Sequence, residues 1–252
     1  MAARYPAEQR AAFQYDGLRR GLRVSGMSAL LCGALGLFLG MFAAAQNSNA
    51  SYGGPIFVLG LFLALCGALA FKRVHPRLLL AIGLACGMLG LWFVGMPIYL
   101  FARRPSVPGV LMIALLLGLP LILIAGGSVT RFRVYGLKAP PRPKQEALTE
   151  AKRVLDGIVA AEMKTDNEIV ELFLGGPIPR LWRGRLSQKG AVLVSQSTFQ
   201  TLILTPADFK IAVVRKVSKD YMDADVTMAG RTARGTLSVE SHERYERWKE
   251  RA

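Results

Sequence analysis

The residue types that most often perform covalent chemistry are few in this chain and lie apart. The two histidines, His75 and His242, have no serine, cysteine or aspartate nearby in an arrangement typical of nucleophilic catalysis. The three cysteines, Cys32, Cys66 and Cys86, all fall inside apolar segments. Thiols at a similar depth could bind a soft metal, but without a neighbouring histidine or carboxylate we interpret them as packing residues. The sequence therefore predicts a non-enzymatic protein with no catalytic residue, no metal site and no cofactor.

Three aspartates of the C-terminal part, Asp220, Asp223 and Asp225, alternate loosely. Carboxylates this close together could bind Ca²⁺. The spacing of an EF-hand loop and its turn glycine are missing, however. We therefore expect these aspartates in a turn and on the solvent-facing side of a strand.

Basic residues are the chemical feature that stands out in the C-terminal part of the chain. Two groups occur, and no acidic residue lies between Phe173 and Ala207. Arg183 and Arg185 would share one strand face, opposite Trp182. Beside an anionic leaflet each basic residue contributes about 1 kcal/mol, although a solvated polar strand face would show the same spacing. The predicted lipid- or partner-binding residues are Arg180, Arg183, Arg185, Lys189, Lys210, Arg215, Lys216 and Lys219.

The formal net charge of +15 indicates an anionic partner for the whole chain. Membrane lipid and nucleic acid both fit that charge. A helix-turn-helix, a zinc-binding pattern and an aromatic RNA-binding motif are all missing from the sequence. We therefore predict membrane lipids, and no nucleic acid, as a partner.

A stretch of about a hundred residues, 25–130, contains no aspartate or glutamate. Basic pairs and one uncharged polar stretch divide it into four apolar segments, 25–45, 52–71, 78–102 and 107–130. A helix needs about 20 residues to cross a hydrocarbon core ~30 Å thick. The sequence therefore predicts a four-helix transmembrane bundle. Ionisable groups at mid-membrane depth, which proton pumps require, do not occur in these segments.

Basic residues near the segment ends predict the orientation of the bundle. Thirteen lie in the N-terminal segment, the 2–3 connection and the stretch after segment 4, whereas the 3–4 connection has two, Arg103 and Arg104, and the 1–2 connection, 46–51, has none. Cytoplasmic loops carry the excess of basic residues. We therefore expect a multi-pass protein of the cell inner membrane with both termini cytoplasmic. Arg103 and Arg104 either snorkel at the far interface or form a docking point for an outer partner.

Residues 1–24 form a basic N-terminal segment in which Ala11, Tyr15, Leu18 and Leu22 recur at helical spacing. This pattern favours either a helix in the head-group plane or a frayed tail that only sets orientation.

Small residues recur at four-residue spacing within the apolar segments. Such residues let membrane helices approach closely, so they predict a compact bundle, or else contacts with another subunit. The pairs and triplets concerned are Gly36 and Gly40, Gly60, Ala64 and Ala68, Gly83 and Gly87, and Ala114 and Gly118.

The remaining 122 residues have the composition of a soluble domain behind a linker, 131–165. The linker contains a proline cluster at 140–143 and then an amphipathic helix, 145–164. The apolar stripe of this helix packs either on the tail domain or on a copy of itself. The stripe consists of Leu148, Ala151, Leu155 and Ile158.

The segment 166–252 shows short alternating runs that predict a mainly β domain. Seven strands are expected, at 169–174, 181–186, 191–194, 199–204, 211–217, 221–228 and 232–239. A final helix follows, with Ser241 as its predicted N-cap and Tyr245 and Trp248 on one face.

This order of seven strands and a helix bearing Trp248 resembles the PH-like superfold, in particular bacterial PH and GRAM-like domains. The resemblance extends over 166–249 and rests on 190–194, 202–209 and 235–239, before Tyr245 and Trp248. It implies a barrel closed at one end by the C-terminal helix. It also implies binding of lipids or proteins without catalysis.

Three classes of function follow from these features. The first is a non-catalytic membrane-anchored adaptor or accessory subunit, whose partners are membrane lipids and other membrane-protein subunits or further copies of itself. The second is a membrane enzyme or transporter component whose active groups come from a partner subunit. The third is a signalling receptor. An activity of the purified chain alone would exclude the first class.

Overall fold

The chain folds into two compact units. The computed structural model describes residues 5–46, 53–103, 108–161, 168–175 and 180–251. Leu18–Ala139 form one unit, here called the helical block. The other unit, here called the β unit, combines Met1–Gly17 with Pro140–Ala252. The β unit thus includes the first seventeen residues and the linker from Pro140 onward.

Among the residues that the structure describes, four long helices are apolar enough for a membrane-embedded part of the chain. Each contains a stretch long and apolar enough to cross a membrane, which agrees with the predicted segments. The predicted connection at 47–51 and Arg104 lie outside the described residues, as does the side chain of Arg103. The helices are α1 (Ala7–Gln46), α2 (Gly53–Lys72), α3 (Arg77–Arg103) and α4 (Pro108–Tyr135).

Small residues bring the backbones of α1 and α2 into contact. A Cβ built on Gly36 would lie 3.0 Å from Cα of Gly60, and one built on Gly33 would lie 2.6 Å from the backbone nitrogen of Ala64. Apolar helices gain nothing by leaving lipid for another apolar surface, so close backbone packing holds them together. A Cβ on Gly90 of α3 would likewise lie 3.2 Å from the carbonyl oxygen of Gly118. The predicted role of small residues in packing is confirmed at these crossings.

Polar side chains add a contact between α1 and α4. Ser128 Oγ donates to Ser25 Oγ at 3.2 Å, and Arg131 Nη1 donates to the same oxygen at 2.9 Å. Both serines are buried. Hydrogen bonds between helices supplement the packing of small residues in such a bundle.

The β unit is built on one antiparallel sheet of seven strands, as predicted. The strand order is β4-β3-β2-β1-β7-β6-β5, so β4 and β5 are the edges. Every predicted strand is present, with ends that differ by at most two residues. The strands are β1 (Ile169–Leu174), β2 (Arg180–Ser187), β3 (Gly190–Ser195), β4 (Thr201–Leu204), β5 (Phe209–Lys216), β6 (Tyr221–Met228) and β7 (Arg231–Ser238).

The sheet curves around the C-terminal helix, α6 (Val239–Arg251). Trp248 Nε1 donates to the carbonyl oxygen of Ser187 on β2 at 2.8 Å, and its ring lies 6.1 Å from that of Phe209 on β5. In a flat sheet β2 and β5 would stand about 19 Å apart, four strand spacings. One side chain reaches both only because the sheet bends. Trp248 is buried in a core that draws on all seven strands.

The start of α6 differs from the prediction by one turn. The helix begins at Val239, and the hydroxyl of Ser238 accepts a hydrogen bond from the backbone N–H of Ser241 at 3.1 Å. Ser238 is therefore the N-cap, because its oxygen satisfies an N–H of the first turn. The predicted cap, Ser241, occupies the third helical position instead.

A second apolar layer covers the outer face of β3. The helix α5 (Gln145–Ala160) packs its stripe there, with Leu155 and Ile158 buried in one cluster with Val192 and Val194. The N-terminal segment joins the same cluster through Phe13, which is 2% exposed. Because β3 is buried on both faces, its residues 191–194 are all apolar instead of alternating with polar ones. The stripe of α5 thus packs on the tail domain.

Candidate partner-binding surface

Two of the predicted binding residues, Arg183 and Arg185, share the outer face of β2, as expected. Each forms an ion pair with an acid of the β1 region. Arg183 contacts Glu171 at 2.6 Å, and Arg185 contacts Glu168 at 2.9 Å. Arg183 also donates to the carbonyl oxygen of Val159 in α5 at 3.1 Å. The guanidinium groups of Arg183 and Arg185 thus form contacts within the β unit.

The other members of this first group lie at the two ends of β2. Lys189 is exposed in the turn between β2 and β3. Arg180 begins β2, and its side chain lies outside the described residues. The first group is therefore spread along a strand instead of forming one patch.

The second basic group lies on edge strand β5 and the turn that follows it. Lys210, Lys216 and Lys219 are exposed. Lys210 is six residues before Lys216, which separates them by about 20 Å along an extended strand. Arg215 is 72% exposed and contacts Asp223 of β6 at 2.8 Å. Lys216 and Lys219 therefore lie together near the turn, whereas Lys210 stands apart.

The ion pair between Arg215 and Asp223 fixes the charge of the carboxylate. Arg215 donates to Asp223 Oδ2, and Thr236 donates to Oδ1 at 3.1 Å. Hydrogen bonds from Arg215 hold the pKa of Asp223 below its ordinary value. Asp225 lies on the same outward face and pairs with Arg234. The two aspartates on β6 therefore stabilise the sheet surface, in agreement with the predicted solvent-facing strand positions.

Exposed apolar side chains accompany the lysines at the end of β5. Here β5 runs past the core, with a bulge between Val213 and Arg215, so that residues on both of its faces are exposed. Val217 is 53% exposed and Tyr221 is 49% exposed. We call this region the hairpin surface. It comprises Val213, Val214, Arg215, Lys216, Val217, Lys219 and Tyr221.

The composition of the hairpin surface exceeds what protection of an edge strand requires. Lysines and a bulge on an edge strand prevent pairing with other chains. Four neighbouring apolar side chains do not serve that purpose, because they would promote association. Basic and apolar side chains together suit the boundary of an anionic membrane, where the lysines contact head groups and the apolar groups enter the interface.

The sequence pattern identified the lysines but not their apolar neighbours. Val213 and Val214 are consecutive, which breaks the alternation of a strand buried on one face. That break was the available signal of the bulge. The pairing of Arg183 and Arg185 with acids depended on the register of β1 against β2, which sequence spacing did not supply.

Among the described residues, no three His, Cys, Asp or Glu side chains are grouped so as to hold a metal ion. Comparison with known protein families and with characterised proteins gave no match to this chain.

Proposed function

We propose that the chain is a non-catalytic membrane-anchored adaptor or accessory subunit of a larger membrane complex. The β unit binds an anionic surface, provided by membrane lipid or by an acidic protein partner. The observation that carries this proposal is the hairpin surface, where Lys216 and Lys219 lie among exposed Val217 and Tyr221. The four apolar helices supply the anchor.

A PH-like architecture of the β unit is part of the proposal. The strand order, with β1 paired to both β2 and β7, supports it, as does α6 with Trp248 against the concave face of the sheet. The hairpin surface lies at the end of edge strand β5, and an edge strand is open to a partner.

The proposed location is the cell inner membrane with both termini in the cytoplasm. Its support is the asymmetry of thirteen basic residues against two at the segment ends. Single cysteines replacing Ser48 and Lys219 in a cysteine-free chain test it with a maleimide that cannot cross membranes. Residue 48 should react in intact cells, and residue 219 should react only after lysis. Labelling of residue 219 in intact cells would overturn the orientation.

Photo-crosslinking tests the binding role of the hairpin surface. A photoreactive amino acid replacing Val217 should form adducts with phospholipid or with another membrane subunit in native membranes. The matched control replaces Phe173, a β1 side chain that is 43% exposed but lies outside the hairpin surface. The proposal fails if residue 217 yields no more adduct than residue 173. Transport or turnover by the purified chain would contradict the non-catalytic assignment.

A further inference from the structure

A cavity of about 330 Å³ lies between α6 and the turn that joins β2 to β3. Its wall includes Ser187 at the end of β2, Gln188 from the turn, and Arg244, Arg247 and Arg251 from the helix. Small-molecule sites typically measure about 300–1,000 Å³. The cavity is therefore large enough for a small organic ligand.

Three arginines dominate the charge of this cavity. Arg244, Arg247 and Arg251 follow each other at spacings of three and four, which places them on one face of α6. Glu168 is the acid among the lining residues, and it pairs with Arg185 at 2.9 Å. The lining thus carries three guanidinium groups for one carboxylate.

The inner end of the cavity is held rigidly. The side chain of Arg244 is 1% exposed, and its guanidinium donates to the carbonyl oxygen of Ile169 at 2.9 Å and to Glu240 at 2.6 Å. Trp248 is fixed by its hydrogen bond to Ser187 at 2.8 Å. A site that is ordered before its ligand arrives loses less conformational entropy on binding.

Arg247 and Arg251 are exposed and line the cavity. Arg247 donates one long hydrogen bond, 3.3 Å, to the carbonyl oxygen of Glu243 in its own helix, and Arg251 lies in the last turn. Basic residues in a last turn also stabilise the helix dipole. Lys249 has that position too but does not line the cavity. A substitution of Lys249 therefore tests the effect on the helix dipole separately from any effect on ligand binding.

We propose that this cavity binds a small phosphate-bearing molecule. The planar guanidinium groups of Arg247 and Arg251 would bind the phosphate oxygens, because the arginine fork matches phosphate in two-pronged hydrogen bonding. Leu186 and Trp248 would contact the apolar part of the ligand. The same chemistry occurs in a soluble organic phosphate and in a lipid head group.

The cavity is distinct from the hairpin surface. It lies beside the C-terminal half of α6, whereas Asp220 in the β5–β6 turn accepts a hydrogen bond from the N–H of Val239, the first residue of that helix. Binding here therefore does not depend on the proposed function.

Isothermal titration of the full chain in an uncharged detergent tests the proposal. The probes are inorganic phosphate, glycerol 3-phosphate and a short-chain phosphatidic acid. Binding of glycerol 3-phosphate would indicate a soluble ligand, and binding of the phosphatidic acid alone would indicate a lipid head group. Either result supports the proposal. Absence of binding by all three probes would overturn it.

Variants locate the binding in this cavity. Arg247→Gln with Arg251→Gln should weaken binding about tenfold or more, because each charge-assisted hydrogen bond is worth about a factor of ten. Lys249→Gln, on the same helix, should leave the affinity unchanged. If the Gln variant fails to fold, Arg247→Lys with Arg251→Lys keeps both charges and should still bind less tightly than the native chain. Native affinity in a folded variant would contradict the assignment.

Discussion

The substitution Gly33→Ala tests how the helices of the block are held together. The new Cβ would lie 2.6 Å from the backbone nitrogen of Ala64 and 2.8 Å from the carbonyl oxygen of Gly60. Both are backbone atoms, which cannot rotate away as a side chain can. Restoring an ordinary contact of 3.4 Å requires α1 and α2 to separate locally by about 0.8 Å.

That separation has a calculable cost. A gap of about 0.5–1 Å forfeits a quarter to a half of the dispersion attraction of each atom pair it affects. Overpacking by one methyl group typically costs about 1–3 kcal/mol. We expect Gly33→Ala to lower the free energy of unfolding by that amount. Gly36→Ala, whose Cβ would lie 3.0 Å from its nearest neighbour, should cost less.

The assay is unfolding of the purified chain in mixed micelles of a mild detergent and sodium dodecyl sulfate, followed by circular dichroism. Gly95→Ala is the matched control, because a Cβ on Gly95 of α3 meets nothing within 4 Å. In a helix interior alanine is favoured over glycine by up to ~1 kcal/mol, so the control should be neutral or stabilising. Equal unfolding midpoints for Gly33→Ala and Gly95→Ala would refute glycine-mediated packing of α1 on α2.

Two further predictions concern the β unit. Phe13→Ala should destabilise this unit by about 3–5 kcal/mol, because Phe13 is 2% exposed, and amide hydrogen exchange in β3 should rise more than in Phe173→Ala. No such difference would mean that the N-terminal segment is not part of the unit. Arg215→Gln should lower stability at neutral pH, because the native pair depresses the pKa of Asp223 and so stabilises the fold above the ordinary carboxyl pKa. In thermal melts that difference should shrink once the pH falls below the ordinary carboxyl pKa and disappear as the pH falls through the depressed pKa of Asp223, and a difference that persists in strong acid would exclude this cause.

The sequence predicted the helices and strands better than it predicted which of them contact each other. The helices and strands follow from apolar runs and alternation, which are local properties. Phe13 was not expected in the β unit, because nothing within residues 1–24 indicates that Leu155 and Val192 complete its cluster. The cap of α6 moved from Ser241 to Ser238 because two serines three apart both fit the local pattern.

Only part of the candidate surface was predicted, again because local spacing does not show which distant residues come into contact. Spacing placed Arg183 and Arg185 on one face, but the ion pairs that engage them arise from residues 12 and 17 positions away. The hairpin surface depends on β5 extending past the core as an edge strand, which is a property of the strand order. Strand order arises from long-range pairing that a single sequence does not specify.

The second apolar layer makes a fragment of the β domain unsuitable for binding experiments. The fragment 166–252 would retain all seven strands but would lose α5 and Phe13, so Val192 and Val194 would face water. Such a fragment would associate through this face. Binding by the β unit is therefore measured on the full chain.

The most direct test of the account places a polarity-sensitive dye at residue 217 of the full chain. The chain carries Val217→Cys with serines replacing Cys32, Cys66 and Cys86, and it is reconstituted in nanodiscs of phosphatidylcholine with or without phosphatidylglycerol. We predict a blue shift of emission in the anionic discs that high salt suppresses, because screening weakens the attraction of Lys216 and Lys219 to the head groups.

Two controls accompany this measurement. Lys216→Glu with Lys219→Glu should remove the blue shift, and a dye at Phe173→Cys should emit alike in both kinds of disc. An adaptor that binds an anionic leaflet through the hairpin surface requires all of these results. Identical emission from residue 217 in neutral and anionic discs would contradict it.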